Sequence, residues 1–266
     1  MKKGKLILLA VVAALVLAPA MSWAQAQAPK APALSEPSFF IELYFGGGGA
    51  TKQGSAVKSL NRSDVGRVNV SLPGNIDEFV MGGLKFGYWF SPYGTYAVGN
   101  LPDWARYFGF YTDFSYQKLG FAEQRGKFNV GGAVGNVQFN TEGNLVTWAF
   151  MFAGRYGFFP DSQLPFGRLE SYLAVGPAIF FSDQRPTFNN ISPASKSSTN
   201  IGLAVETGAR YFFNKAVSVQ LSFKYRYFKP SYDFDGNIPG TAVRYTMTSK
   251  PDFNLFSGQL GVAYHF

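Results

Sequence analysis

The stretch Val217–Tyr227 reads VSVQLSFKYRY and alternates between two kinds of side chain. Apolar and aromatic residues occupy one set of positions, and Ser, Gln, Lys and Arg occupy the other. Because successive side chains of a β-strand point to opposite faces, this pattern predicts a strand with one apolar face and one polar face. The final residues of the chain, Phe253–Phe266, repeat the alternation.

The same period of two recurs along the chain and predicts an all-β protein with eight main strands. Connections after the odd-numbered segments are longer than those after the even-numbered ones, as expected for a barrel with long loops at one end and turns at the other. The predicted segments are Phe39–Gly47, Phe79–Phe90, Ala105–Lys118, Leu145–Phe158, Leu169–Ser182, Asn200–Phe212, Val217–Phe228 and Phe253–Phe266.

Two architectures accommodate eight such strands: a soluble barrel or sandwich with its apolar face inside, and a membrane barrel with its apolar face in lipid. The second face is unusually small, with Gly83, Gly87, Ala149, Ala153 and Gly208 among its members. Small side chains suit a narrow lumen, and a solvated outer face does not need them. Aromatic residues also crowd the strand ends, as in interfacial girdles, in the groups Tyr88-Trp89-Phe90, Trp104 with Tyr107, Tyr156 with Phe158 and Phe159, and Tyr211-Phe212. The predicted fold is an eight-stranded antiparallel transmembrane up-and-down β-barrel.

Composition excludes several other classes of protein. Aromatic residues make up 18% of the 266 residues and charged residues only 15%, which argues against a disordered chain. With no Cys and one His, the sequence offers neither a disulfide framework nor a cysteine or multi-histidine metal site. We therefore expect no cofactor and no metal. Gly46–Gly49 lacks the Gly-Lys-Ser/Thr ending of a phosphate loop and is expected to free the exit into the first long loop.

The N-terminal residues 1–24 have the features of a secretory signal peptide. Lys2, Lys3 and Lys5 precede an apolar run, and Ser22-Trp23-Ala24 provides a small-residue cleavage motif after Ala24, with Ala26 as the alternative. The other reading is an uncleaved membrane anchor. Cleavage would remove three lysines and no acidic residue, so the formal net charge would fall from +8 to +5. A charge of +5 is too small to indicate nucleic-acid binding. Residues 25–36 are expected to form a flexible leader and residues 37–266 the barrel.

An exported chain with eight alternating strands and a terminal Leu260-x-Val262-x-Tyr264-x-Phe266 resembles the small eight-stranded outer-membrane β-barrel family, to which the membrane domain of outer membrane protein A belongs. This porin-like family of Gram-negative bacteria implies location in the cell outer membrane, among its lipids and lipopolysaccharide. The resemblance also implies that Leu260, Val262, Tyr264 and Phe266 form the signal read by the outer-membrane assembly machinery. The alternative is that they are simply lipid-facing residues of the last strand, and the two interpretations are compatible.

Charged residues on the inner face are predicted to form a network in the lumen. Four acids stand against five bases, and near-balance suggests pairing, because isolated charges in a narrow lumen are costly. With the hairpin of the sixth and seventh segments centred on Asn214, Glu206 would lie opposite Ser222 and diagonal to Lys224. The alternative role is a gated ion path. The nine residues are Glu42, Lys85, Asp113, Arg155, Glu170, Glu206, Arg210, Lys224 and Arg226.

The sequence favours a non-enzymatic structural or surface-interacting protein. Lipid A-modifying barrels need a His beside a Ser or Asp near the outer leaflet, and His265 is one residue from the end of the chain, at the opposite rim. Basic residues in loop one, such as Arg62 and Arg67, would suit lipopolysaccharide phosphates, unless the loop is only a solvated connection. Alternating residues around Gly131-Gly132 and in Ala242–Met247 predict hairpins beyond the membrane. Their walls would suit a small hydrophobic ligand, as in a narrow conduit resembling the outer membrane protein W group.

Overall fold

The computed structural model describes residues 38–51, 57–71, 76–91, 101–130, 133–188, 193–237 and 241–266. The signal peptide and leader predicted from the sequence lie outside these residues. Thirteen strands and one short 3-10 helix, Asp103–Tyr107, make up the elements of the described part. The strands are β1 Phe39–Ala50, β2 Val57–Arg62, β3 Gly66–Ser71, β4 Phe79–Trp89, β5 Phe108–Lys118, β6 Phe121–Val130, β7 Ala133–Phe158, β8 Leu169–Phe188, β9 Lys196–Phe212, β10 Val217–Phe228, β11 Tyr232–Asn237, β12 Arg244–Ser249 and β13 Phe253–His265. None of the described residues forms a helix long and apolar enough to cross a membrane.

Eight of these strands close into an antiparallel barrel, as the sequence predicts. The strands pair in the order β7-β5-β4-β1-β13-β10-β9-β8, and β8 pairs with β7 to complete the circle. Closure leaves no unpaired strand edge at this level, which is what a barrel in lipid requires because the bilayer core offers no hydrogen-bond partners. The end of the barrel that holds Phe39 and His265 is called the terminal end, and the opposite end is called the loop end.

The third barrel strand is shorter than its predicted segment. Asp103–Tyr107 forms the 3-10 helix, and the strand begins at Phe108 rather than at Ala105. The backbone N–H of Ala105 donates to the carbonyl of Pro102, so the chain turns before it enters the barrel. Several other strands are longer than predicted; β7 extends over 26 residues from Ala133 to Phe158.

The predicted role of the four glycines at 46–49 is wrong, because they lie within a strand. Gly46 and Gly48 are paired with both neighbouring strands, β13 and β4. A Cβ atom on Gly48 would stand 1.9 Å from the carbonyl oxygen of Phe256, and one on Gly46 would stand 2.2 Å from that of Gly258. These glycines therefore permit close approach of two strands and do not loosen the chain.

Above the closed barrel, the wall continues as a second storey at the loop end. There β6 pairs with the first half of β7 and with β3, and the order runs on through β2 and β12 to β11. The hairpins predicted around Gly131-Gly132 and near residues 242–247 are present as β6–β7 and β11–β12, although the two glycines themselves lie outside the described residues. The β2–β3 hairpin was not predicted.

The second storey has a seam between β9 and β11, where the described residues form no backbone ladder. Side chains bridge it instead: Lys196 Nζ is 3.2 Å from Asp235 Oδ1, and the backbone N–H of Ser231 donates to Ser198 Oγ at 3.3 Å. The Tyr232 hydroxyl donates to Ser182 Oγ at 2.6 Å, and burial raises the pKa of this phenol. The hydroxyl therefore remains a donor through the neutral pH range.

The outer face of the closed barrel is an apolar belt. Its residues alternate with buried ones along each strand, as lipid-facing side chains do in membrane barrels. Exposed aromatic residues, including Trp104, Tyr107, Tyr156, Tyr211 and Phe266, ring the terminal end. The belt includes Leu43, Phe45, Val80, Phe86, Phe110, Phe114, Phe152, Leu173, Val175, Leu203, Leu221, Phe223, Leu260 and Val262.

Two residues assigned to the aromatic girdle from the sequence lie inside the barrel instead. Trp89 and Phe212 are only 2% and 3% exposed. Parity explains the difference, because each residue is the inward neighbour of an outward-facing tyrosine, Tyr88 or Tyr211. They help to fill the terminal end of the lumen.

Replacement of Leu221 by Arg is expected to destabilise the barrel in lipid. Leu221 lies near the middle of β10 and is 67% exposed on the belt. A charged side chain at the bilayer midplane costs about 2–4 kcal/mol in membrane barrels. The free energy of unfolding, measured by urea titration in phospholipid vesicles, should fall by that amount.

The matched control is Thr246→Arg, on the outward face of β12 in the second storey. This change should have little effect, because the second storey stands outside the apolar belt. Equal losses for the two variants would contradict the placement of the belt in lipid.

Candidate functional site: the charged lumen

Nine charged side chains point into the lumen from seven of the eight barrel strands. Each lies on the face that alternates with the apolar belt, and each is almost fully buried, with exposures between 0% and 7%. Small residues such as Ala149, Ala153, Ala174 and Ala204 leave the room that these long side chains need. The nine are Glu42, Lys85, Asp113, Arg155, Glu170, Glu206, Arg210, Lys224 and Arg226.

Lys85 joins two carboxylates at the centre of the lumen. It stands directly opposite Glu42 in the β1–β4 ladder, and its ammonium nitrogen is 2.8 Å from Glu42 Oε1. The same nitrogen reaches across the lumen to Glu206 Oε1 at 2.6 Å. It also stands 4.8 Å from the centre of the Tyr44 ring, where the negative face of the aromatic adds a favourable interaction.

Lys224 forms a second bridge beside the first. Its ammonium group contacts the Asp113 carboxylate and lies 2.8 Å from Glu206 Oε2. Two tyrosine hydroxyls complete the shells of these acids: Tyr44 donates to Asp113 Oδ1 at 2.6 Å and Tyr172 donates to Glu206 Oε1 at 2.5 Å. Each of the two carboxylates thus receives both an ion pair and a neutral hydrogen bond.

Arg210 and Gln220 complete the arrangement around Glu42. Arg210 Nη2 lies 2.9 Å from Glu42 Oε2 and also donates to Gln220 Oε1 at 2.7 Å. The amide nitrogen of Gln220 donates to Glu42 Oε1 at 2.9 Å. Burying a charged group costs free energy, and ion pairs and hydrogen bonds to that group offset the cost. In this group, which we call the central network, each of the three carboxylates has at least one cation within 2.9 Å or in direct contact.

The predicted register of the β9–β10 hairpin is wrong by one position on each strand. Glu206 lies directly opposite Lys224, and Ser222 lies opposite Gly208. The turn has four residues, 213–216, because the side chain of Asn214 accepts hydrogen bonds from the N–H groups of both Ala216 and Val217. The longer turn moves the centre of pairing to Lys215 and places the two charges in one cross-strand pair.

Arg155 and Glu170 form a separate pair at the terminal end. Arg155 Nη1 lies 3.0 Å from Glu170 Oε1, and its Nε donates to the carbonyl of Arg106. The guanidinium carbon stands 4.4 Å from the centre of the Trp89 ring and 4.1 Å from that of Phe166. The nine predicted residues therefore divide into a central group, this terminal pair, and Arg226, which contacts no carboxylate among the described residues.

The one histidine also lies at the terminal end, as predicted from the sequence. His265 Nε2 is 2.7 Å from Ser218 Oγ, and both residues are buried. The rings of Phe40 and Phe212 flank the imidazole, with centroids 5.9 and 4.7 Å away. A nucleophilic serine needs a base that is oriented by a third group and a path for substrate. The side-chain contacts described for this imidazole are one hydroxyl group and two aromatic rings.

The lumen is filled both above and below the central network. Towards the terminal end, side chains fill the space between the strands, namely those of Phe40, Lys85, Trp89, Tyr111, Tyr172, Glu206, Arg210 and Gln220. Towards the loop end, an apolar layer closes the opening. It consists of Leu119, Phe121, Phe139, Leu145, Phe180, Phe228, Phe234, Met247, Phe253 and Leu255.

Sequence reasoning missed the neutral partners of the network. Tyr44, Tyr172 and Gln220 share the inward parity of the predicted charges, and Tyr44 and Tyr172 each lie two residues after a predicted acid. Parity alone would have placed them in the lumen. The basic residues predicted to meet lipopolysaccharide are exposed at the loop end, where Arg62 pairs with Asp64 at 2.6 Å.

Comparison with known proteins gives similarity of fold. No family model and no curated protein matches the chain. Among solved structures, the outer membrane protein OprG from Pseudomonas aeruginosa is 16% identical, with 87% of this chain and 97% of that chain covered and a TM-score of 0.46. Neisserial surface protein A is 14% identical over 86% and 97% of the two chains, with a TM-score of 0.40. The outer membrane protein AlkL, solved by solid-state NMR in lipid bilayers, is 18% identical over 90% and 94%, with a TM-score of 0.33. The chain is thus similar to small outer-membrane β-barrels.

The buried pair Glu206–Lys224 is expected to stabilise the barrel cooperatively. Glu206→Gln or Lys224→Met alone should each lower the free energy of unfolding by about 3–5 kcal/mol, because each leaves a buried charge with fewer partners. The double variant should lose less than the sum, with a coupling energy of about 0.5–3 kcal/mol. Urea titration of all four proteins in vesicles measures this cycle.

A control cycle uses the partly exposed pair at the seam, with Lys196→Met and Asp235→Asn. Its side chains are 40% and 53% exposed, and such pairs couple by at most about 1 kcal/mol. A coupling no larger for Glu206 and Lys224 than for this pair would mean that the central network contributes nothing beyond packing.

Proposed function

We propose that the protein is a non-enzymatic outer-membrane β-barrel whose lumen is closed by its own side chains and whose role is structural or surface-interacting. The observation that carries this proposal is the central network, in which Lys85 and Lys224 tie Glu206 to acids on two other strands. An eight-stranded barrel has an interior only wide enough to be filled by side chains. Ion pairs that cross the lumen hold these side chains in fixed positions.

The orientation that fits this role places the terminal end in the periplasm and the second storey outside the cell. Short connections face the periplasm and long ones face outwards in outer-membrane barrels. The polar, sheet-like outer storey then becomes the surface that meets lipopolysaccharide or a host partner. Export by the predicted signal peptide and recognition of Leu260, Val262, Tyr264 and Phe266 by the assembly machinery belong to the same proposal. All four of these side chains are 52–59% exposed on the outer face of β13 and at its end.

Conductance across planar bilayers distinguishes a closed lumen from a gated path. We expect the wild-type protein to give no current steps above the protein-free baseline in molar KCl. We expect Lys224→Ala to lower the thermal stability of the barrel while it stays non-conducting, because the aromatic and apolar layers on both sides of the network remain. Regular current steps from the wild type, or from the folded Lys224→Ala variant, would favour a gate over a plug.

A second function, a conduit for small hydrophobic solutes, is favoured by one specific observation. The loop end of the lumen and the inner surface of the second storey are apolar, with Phe253 and Leu255 of the barrel and Phe234 and Met247 of the second storey each no more than 2% exposed, whereas the lumen beneath is charged. On displacement of these side chains the apolar layer would accept an apolar molecule, and the charged plug beneath would stop that molecule from passing straight through the barrel. Ligand sites in barrels commonly lie in such mouths.

Uptake of a fluorescent apolar probe by vesicles that contain the protein tests this second function. A closed structural barrel should take up the probe no faster than protein-free vesicles. A faster, saturable uptake would favour the conduit. Vesicles that contain the protein with its loops removed by protease serve as the control, since the membrane barrel would remain without its apolar mouth.

A further inference from the structure

Among the nine charged lumen residues described by the structure, Arg226 is the one that forms no ion pair. Its side chain crosses from β10 towards β4 and β5, where Nη2 donates to Gln117 Oε1 at 2.5 Å and lies 3.5 Å from Met81 Sδ. The residue is 1% exposed. Its Nε and Nη1 atoms have no hydrogen-bond partner among the described residues, and the same holds for Nε2 of Gln117.

The charges that the described residues place in the lumen do not sum to zero. The terminal pair, Arg155 and Glu170, is neutral by itself. The central part then holds three carboxylates, on Glu42, Asp113 and Glu206, against four cations, on Lys85, Arg210, Lys224 and Arg226. Each carboxylate already has a cation within 2.9 Å or in direct contact. One positive charge is left over, and it lies at Arg226.

The position of Arg226 makes this surplus costly. The next inward residue of its strand is Phe228, its cross-strand neighbour is Leu255, and both are buried in the apolar layer of the loop end. The Phe79 ring lies 5.8 Å from the guanidinium carbon. A buried charge without a counter-charge is strongly destabilising, and proteins compensate it by a paired group or a bound ion.

We propose that Arg226 and Gln117 form a binding site for a small monovalent inorganic anion, of which chloride is the physiological example. The free N–H groups of Arg226, at Nε and at Nη1, lie on different edges of the guanidinium, and either one, together with the free amide N–H₂ of Gln117, supplies donors for such an ion. A single negative charge removes the surplus. The closely filled layers on either side favour a monatomic ion over a phosphate or an organic acid. The anion is a structural part of the lumen, independent of whether the barrel is a plug or a conduit.

Thermal unfolding in different salts tests the site on the full chain, refolded in detergent micelles. At equal ionic strength, the midpoint should be higher in sodium chloride than in sodium gluconate, and the difference should grow with concentration as expected for a ligand that binds only the folded state. Arg226→Met, which keeps an unbranched apolar stem and removes the charge and the donors, should abolish the difference. Arg244→Met should retain it, because Arg244 is 69% exposed in the second storey, outside the lumen.

A wild type with equal midpoints in the two salts would overturn the proposal, and so would an Arg226→Met variant that keeps the whole chloride effect. If that variant does not fold, bromide replaces the variant as the probe. Anomalous diffraction from wild-type crystals soaked in sodium bromide should then give a peak within hydrogen-bond reach of Arg226 Nε or Nη1. Ordered water at these atoms, with bromide elsewhere or absent, would equally overturn the site.

Discussion

The constraint on which the rest of the structure depends is that a charge inside a narrow barrel must be paired by the barrel itself. Glu206 is fully buried, and it survives there because Lys85, Lys224 and the Tyr172 hydroxyl surround it. These partners come from three different strands. Their contacts therefore require the wall to be closed and correctly registered before any of them can form.

The other layers of the lumen follow from that requirement. An ion pair is stronger where water is excluded, and aromatic residues provide this exclusion below the central network, where Trp89 and Phe40 lie. Above the network, the stacked rings of Phe180 and Phe228, with centroids 4.3 Å apart, belong to the apolar layer. The lumen therefore has its charges in the middle and aromatic residues on both sides. This arrangement explains why many aromatic rings are buried inside the barrel, in addition to those on the apolar outer belt.

Much of the fold could be predicted from the sequence, because alternate residues of a membrane-barrel strand face the lipid and the lumen. The eight strands, their closure into a barrel and the inward direction of the nine charges all follow from parity. Trp89 and Phe212 were wrongly predicted to lie in the aromatic girdle because they are next to other aromatic residues in the sequence, whereas their parity points inwards. The β2–β3 hairpin has strands of six residues, too short for its period to stand out.

The contacts of the site could be predicted less well, because they depend on geometry that parity does not contain. The pairing of Glu206 with Lys224 was missed because the bonds from Ala216 and Val217 to Asn214 lengthen the turn. Contacts across the lumen, such as Lys85 with Glu206, depend on the stagger of strands around the closed barrel. Arg226 illustrates the same limit: its inward direction was predictable, but its lack of a carboxylate partner was not.

The central claim, that lysines are bound to glutamates inside the lumen, is tested most directly by solid-state NMR in lipid bilayers. The protein is labelled with ¹⁵N at lysine Nζ and ¹³C at glutamate Cδ. Among the described residues, every lysine–glutamate ion pair involves Lys85 or Lys224. We expect strong dipolar dephasing for these two ammonium groups, which corresponds to direct N–O contacts such as the 2.6 Å between Lys85 and Glu206. Dephasing absent from every lysine would contradict a lumen closed by ion pairs.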